Sequence, residues 1–279
     1  MKNTISFMSA NFVARELDYQ MTAGWMQGDG AANAFFKPLE TFAERFEALV
    51  KEIHALGFQA MDLWLAHLNP QWATTEHVEI AEGVLQKYAM QVISLAGYFG
   101  DDADNFESAC QLANTLDTKI LGGGTGLLAK DPETLCSILD THDLSFGLEN
   151  HPEKSARELL EKIEAAGDER VGAAIDSGWF ASQGFSAAKA ITELEGRIIH
   201  VHLKDIFPPQ TKSPAITLRD MGHETCALGE GVVQIDNCLT ALKKQRYAGP
   251  ISIEHEPEDH DPTQEILKSL SYLEAHFKQ

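Results

Sequence analysis

The apolar positions of this chain follow two alternating periods. Short runs rich in apolar and β-branched residues predict eight strands, over 5–9, 60–65, 91–96, 119–121, 144–149, 171–176, 198–203 and 251–254. Between them, apolar residues recur at intervals of three and four. The clearest case is 39–56, where Leu39, Phe42, Phe46, Leu49, Val50, Ile53 and Leu56 share one helical face and Gly57 follows as a stop. The same period predicts helices over 75–90, 104–116, 131–140, 155–166, 186–194, 235–246 and 262–277. Asp131 reads as an N-cap ahead of Pro132, and Ser155 with Glu158 reads as a capping box. Eight strands alternating with eight helices predict a parallel sheet under a helical layer, and eight such units close a (β/α)8 TIM barrel. Residues 1–279 are read as one α/β domain of this kind. A doubly wound open sheet is the alternative, but the first strand lacks the glycine fingerprint that fold carries.

Three stretches stand outside the alternation. Residues 11–38, which include GWMQGDGAAN, are expected to be irregular and to form a lid or pocket wall. Residues 204–232 form a loop of 29 residues after the seventh strand. Gly122, Gly123, Gly124 and Gly126 have no phosphate-loop lysine and serine behind them, so they are read as a tight strand-to-helix turn.

Composition narrows the function. Hydrophobic residues make up 44% of the chain, enough for a large core. A net charge of −20 repels phosphate backbones and argues against a nucleic-acid partner. The four cysteines show no metal-finger spacing and are read as thiols in a reducing compartment. The first residues show no signal-peptide pattern and no apolar run reaches the ~18 residues of a membrane span. A cytoplasmic protein without a membrane partner is the expectation.

The seventh strand, IIHVHL, puts two imidazoles in an apolar run. His200 and His202 are two apart, so they share a face. A buried histidine needs hydrogen-bond partners or a metal. A satisfied core histidine is the simpler reading for His200. For His202 the neighbouring strand ends change the balance. Barrel enzymes work at the C-terminal ends of their strands. There the fifth strand delivers Glu149, the sixth Asp176, the seventh His202 and the eighth Glu254. Glu149 and Asp176 are 27 residues apart, Asp176 and His202 are 26 apart, and His202 and Glu254 are 52 apart, with the surplus in the long loop. Three carboxylates packed together repel one another, and a divalent cation removes that cost. Three oxygens and one nitrogen suit Mn²⁺, with Mg²⁺, Co²⁺ or Zn²⁺ as alternatives. Helix capping or water binding would explain any one of these rim residues, but explains four in succession poorly.

The pattern LEN…IDSG…HVHLKD…GEG…ISIE resembles the xylose isomerase-like TIM barrels, which include sugar and sugar-phosphate isomerases and epimerases, ketose 3-epimerases, inosose dehydratase and endonuclease IV. The resemblance covers nearly the whole chain and is most specific over 148–256. It implies one divalent metal on Glu149, Asp176, His202 and Glu254, with Glu149 and Glu254 as the acid/base pair. Glu256 is the rival to Glu254, but Glu254 follows the apolar strand directly. The resemblance further implies a sugar or sugar-phosphate substrate passing through an enediolate, and leaves a homo-oligomer open. An inosose-type dehydratase, an endonuclease IV-like phosphodiesterase and a non-catalytic sugar-binding barrel are the alternatives. One departure stands out. The family often carries a histidine where this chain has Trp179, and that histidine contacts substrate. Trp64, His67, His151, Trp179 and Lys204 are expected to line the substrate pocket. Rim packing for Trp64 and a surface ion pair with Asp205 for Lys204 are equally weighted. Glu230 is read as turn chemistry, and His223 and His260 as solvated.

Overall fold

The computed structural model describes residues 3–209 and 222–277. Its main strands are β1 Ile5–Met8, β2 Ala60–Trp64, β3 Gln91–Tyr98, β4 Ile120–Gly124, β5 Ser145–Glu149, β6 Val171–Asp176, β7 Ile198–Leu203 and β8 Ile251–Ile253. They pair in parallel, and the sheet closes because β1 bonds both to β2 and to β8. Helices lie between the strands, which makes the molecule a (β/α)8 barrel.

Helix Leu39–Ala55 shows why the elements form where the pattern puts them. Its Phe42, Phe46, Leu49, Val50 and Ile53 are fully buried, each contributing about 1.5–3 kcal/mol relative to exposure. Asp131 accepts from Thr134 N at 3.0 Å with Pro132 in the first turn. Ser155 accepts from Glu158 N at 3.4 Å, but the expected reciprocal bond is displaced: Glu158 accepts from Lys154 N instead, at 2.9 Å.

The stretch 11–38 is more regular than expected. After 3₁₀ turns at Ser9–Phe12 and Arg15–Leu17 it forms helix Trp25–Phe36. Its glycines lower helix propensity, but packing overrides them. A Cβ at Gly28 would meet Val13 O at 2.4 Å, so the glycine lets the helix lie close against the preceding turns. Gly122–Gly124 also differ from expectation, since they belong to β4 and not to a turn. A Cβ at Gly123 would stand 2.0 Å from the carbonyl of Gly97, its ladder partner on β3, so only glycine permits that approach.

The loop 204–232 contains a two-stranded ribbon, Asp205–Ile206 against Thr225–Cys226; residues 210–221 lie outside the described residues. Asp205 anchors it. Its buried carboxylate accepts from Gly229 N at 2.9 Å, Gly231 N at 3.0 Å and Val233 N at 3.0 Å. Glu230 itself reaches Lys268, at 3.1 Å. His223 is buried, not solvated, and its Nδ1 lies 2.9 Å from Phe207 O. His260 is exposed beside Asp259, at 2.8 Å. Among the described residues no helix is long and apolar enough to cross a membrane.

Candidate metal and proton-transfer site

Register explains how separate strands bring their acids level. Asp176 faces His202 across the β6–β7 ladder. Glu149 faces Ala174, two residues before Asp176, and Glu254 follows by two the Ser252 that faces His202. Neighbouring strands of such a barrel are staggered by about one residue each, which compensates the offset from β5 to β8. The side chains therefore meet at the mouth. His202 Nδ1 lies 3.4 Å from Glu149 Oε1 and 3.5 Å from Glu254 Oε2.

Asp176 stands in an adjoining group. Its Oδ1 accepts from Gly178 N at 2.8 Å and Trp179 N at 3.0 Å. Its Oδ2 faces His151 Nε2 at 3.2 Å and Lys204 Nζ at 3.1 Å. The four residues expected to share one ion thus form two overlapping groups, Glu149–His202–Glu254 and Glu149–His151–Asp176, joined by Glu149.

Lys204 does not pair with Asp205 at the surface. It is 1% exposed, and its ammonium also lies 3.3 Å from Glu254 Oε2 and 2.9 Å from Glu256 Oε2. Asp205 is occupied by the loop amides, which is why the surface pair does not form. Glu256 reaches Lys204 from beyond the end of β8, through a backbone at φ +54°.

Electrostatics bind these groups together. Burial pushes the Glu149 carboxyl up, but His151 and His202 outweigh it and bring it down to about 2. Burial also opposes the charged form of Asp176, yet Lys204 and His151 hold it well below the usual carboxylate range. The His202 imidazolium is disfavoured by burial and favoured more strongly by Glu254 and Glu149, so its pKa lies well above the ordinary value. His151 is likewise opposed by burial and raised to about 9 by Glu149 and Asp176. Lys204 is raised too, its carboxylates overcoming burial. Burial pushes Glu256 up to about 7, with Lys204 opposing the rise and Glu254 adding to it.

Three side chains unremarked in the sequence hold the rim backbone. Asn150 donates to Asp176 O at 3.0 Å and accepts from Asp176 N at 2.7 Å. Asn11 donates to Ile253 O at 3.0 Å and accepts from His255 N at 2.6 Å, clasping the residues on either side of Glu254. Ser177 donates to Lys204 O at 2.8 Å and accepts from Lys204 N at 2.9 Å. A side-chain amide carries a peptide's donor and acceptor, so each asparagine continues the ladder where the main chain leaves it. Their signal in sequence was only their position, one residue after a strand or in the turn after β1.

The other expected pocket residues take different roles. Trp179 is 9% exposed, donates to Glu153 O at 3.1 Å and packs edge-on to His151 at 4.5 Å between centroids. Trp64 is buried against Trp25 at 5.3 Å and His67 at 5.1 Å, the rim-packing arrangement. His67 is buried too, with Nδ1 3.0 Å from Ser9 Oγ and its ring 4.7 Å from Phe36. Burial, with a contribution from Arg15, keeps its pKa well below the ordinary value. It is a neutral histidine in a packed wall.

The donor set fits a divalent ion. His202 Nδ1, which faces Glu149 and Glu254, is buried without a hydrogen bond, and a buried polar atom of that kind calls for a ligand. Carboxylate oxygens with one imidazole are a donor set that divalent cations accept.

Comparison with known proteins adds four findings. The profile of the family described as xylose isomerase-like TIM barrel matches residues 50–276. The L-ribulose-5-phosphate 3-epimerase UlaE of Shigella flexneri is 33% identical over 81 residues, 29% of this chain and 24% of that protein, so the match spans about a quarter of the relative's length. Among solved structures, the D-allulose 3-epimerase of a Methylomonas species in complex with D-allulose has a TM-score of 0.66 at 13% identity, covering 99% of this chain and 98% of that one. The IOLI protein with a bound zinc atom has a TM-score of 0.67 at 13% identity, covering 97% and 96%. At such identities the two structures speak for the fold alone.

Proposed function

The chain belongs to the xylose isomerase-like TIM barrel family, and from that premise we propose that it is a divalent-metal-dependent isomerase or epimerase of keto sugars or their phosphates. The observation that carries this reading is the convergence of two glutamates on His202, Glu149 at 3.4 Å and Glu254 at 3.5 Å, from strands on either side of β7. Two carboxylates held beside one metal ligand are the parts needed to take a proton from one face of a carbon and return it on the other. The partial match to a ribulose-phosphate 3-epimerase agrees with a ketose substrate.

Glu149, Asp176, His202 and Glu254 would hold the ion, with Mn²⁺ the best fit to three oxygens and a nitrogen. When bound, the ion supplies a Lewis acid that polarises the sugar carbonyl and eases loss of the adjacent proton. Glu149 and Glu254 exchange that proton with the carbon beside the carbonyl, the sugar passing through its enediolate. Lys204 keeps Asp176 ionised and holds both Asp176 and Glu254 in place through contacts of 3.1 and 3.3 Å. Trp179 and His151 pack together at 4.5 Å and wall the site on the Asp176 side.

A panel of ketoses, ketose phosphates and inososes, incubated with the Mn²⁺-loaded protein and followed by NMR, tests the proposal. Interconversion of two sugars epimeric or isomeric at the carbon beside the carbonyl is the expected result. Loss of water from an inosose would establish the dehydratase instead.

A further inference from the structure

Resting on the metal-centre reading above, we infer that Asp62 is the positioning residue for His202: it is the carboxylate that faces Nε2 from inside the barrel, not hydrogen-bonded to it here at 4.0 Å, and accepts from the Nε2–H once Nδ1 faces the ion. Strand parity turns Asp62 of β2 and both His200 and His202 of β7 into the barrel, where they are 0%, 0% and 1% exposed. The two nitrogens of His202 face different partners. Nδ1 faces Glu149 and Glu254, at 3.4 and 3.5 Å. Nε2 faces Asp62 Oδ2, at 4.0 Å.

A histidine binds a metal through a lone pair, so a ring that ligates through Nδ1 carries its proton on Nε2. That N–H is buried and needs an acceptor. Asp62 is the carboxylate that faces it. Metal-bound histidines usually give their second N–H to such a group, which fixes the tautomer and the ring orientation.

Asp62 is itself held for the task. Ser94 Oγ donates to its Oδ1 at 2.7 Å, and His200 Nε2 lies 3.2 Å from the same oxygen. Ser6 Oγ donates to Oδ2 at 3.3 Å. These contacts come from β1, β3 and β7, and leave Oδ2 turned toward His202. Barrel interiors are normally filled by layers of branched apolar side chains. This layer instead contains Ser6, Asp62, Ser94, His200 and Ser252, all fully buried. A polar layer of that size stands where apolar filling is usual, and orientation of the imidazole above it supplies a reason. His200 serves as the companion that holds Asp62, which also accounts for its burial without a metal-facing role.

Zn²⁺ is the probe, because it is diamagnetic, and the full chain is the sample. Competition titration against a chelator should show Asp62→Asn binding Zn²⁺ roughly 10- to 100-fold more weakly than the parent, the usual cost of losing such a partner. Long-range ¹⁵N–¹H spectra of the Zn²⁺-loaded parent should show His202 with its proton on Nε2 and its metal on Nδ1, a signature that mere structural support would not produce. An affinity for Asp62→Asn equal to the parent's, or a His202 proton on Nδ1, would overturn the inference. Two Zn²⁺ per chain, the second on Asp62, His200 and His202, would overturn it as well. If Asp62→Asn does not fold, the Nε2 proton of the Zn²⁺-loaded parent decides: a strongly deshielded, slowly exchanging proton marks a carboxylate acceptor, and an ordinary, freely exchanging one would overturn the inference. A parent that binds no Zn²⁺ would sink the metal-centre reading itself, a result distinct from any of these.

Discussion

His67, on the β2 side of the barrel mouth, and His202, on the β7 side, are each 1% exposed. Burial disfavours the charged form of both. His67 has Ser9, Phe36 and Trp64 around it and no facing carboxylate, so it stays neutral. His202 has Glu149 and Glu254 within 3.5 Å, and its imidazolium is strongly favoured. The β1–β4 side of the rim ends in Met8, Trp64, Tyr98 and Gly124, while the β5–β8 side ends in Glu149, Asp176, Leu203 followed by Lys204, and Ile253 followed by Glu254. Equal burial thus yields a neutral packing histidine on one side and a histidine whose charged form is favoured on the other. The facing charges make the difference.

The largest effect that could break this contrast is on metal. His202→Ala should weaken divalent-ion binding beyond the ~100-fold upper end typical of second-layer losses, and Glu149→Ala, which removes the ligand oxygens outright, should do likewise. His67→Gln should retain the parent's metal content. Elemental analysis after desalting reads both, and a His67 variant that loses metal would merge the two sides of the rim.

Next comes the asparagine clasp. Asn150→Ala removes the two bonds its amide makes to the Asp176 main chain, each loss costing about 1–3 kcal/mol for a buried group. Thermal and denaturant unfolding should show a clear destabilisation, and metal affinity should fall with it. A variant as stable as the parent would remove the clasp from the account.

The pH dependence of stability sharpens the histidine contrast. His67 has a folded pKa below its unfolded value of about 6.5, so its contribution is fully present above that pH. As pH falls below 6.5 the unfolded chain binds a proton the folded chain refuses, and stability declines by about 1.4 kcal/mol per unit until the folded pKa is reached. His151, raised to about 9, has the opposite sign: its contribution is full below about 6.5 and is lost as pH rises through about 9. Glu149, lowered to about 2, contributes above its unfolded value near 4.3 and loses that as pH falls toward 2. His67→Gln should therefore flatten the acid slope between pH 6.5 and 5, measured by denaturant unfolding across pH. An unchanged slope would contradict the neutral assignment.

The smallest effect is expected at Trp179. Trp179→His exchanges a large wall residue for an imidazole and loses the 3.1 Å bond to Glu153 O. Ratios of kcat/KM among ketoses should shift by a few-fold to ~10-fold, the scale of modest pocket changes, while metal content holds. A shift in metal content with no change in preference would move Trp179 out of the substrate wall.

The order of strands and helices was legible because the period of apolar residues changes from two to three or four at each boundary, and the rim acids because each follows an apolar run directly. What was not legible depends on contacts across the chain. Helix Trp25–Phe36 forms against Val13 despite its glycines, and nothing local signals that. Lys204 has Asp205 beside it in sequence but meets Asp176, Glu254 and Glu256 instead, since the loop amides claim Asp205 first. Asp62 did leave a trace, an acid among Met61, Leu63 and Trp64, but its partners Ser94 and His200 come from other strands. The expected single tetrad is likewise drawn as two groups sharing Glu149, because Asp176 is held by His151 and Lys204.

The most direct test of the central claim, that the β5–β8 rim is a proton-transfer site, is solvent exchange at the carbon beside a ketose carbonyl. The Mn²⁺-loaded protein in D₂O should wash deuterium into that position of a sugar it binds, and Glu254→Gln should lose at least ~10²-fold of the rate from one face, the lower end of the contribution of a general base, while keeping most of its metal. Metal bound and sugar bound with no exchange in the parent, or full exchange in Glu254→Gln, would contradict the account.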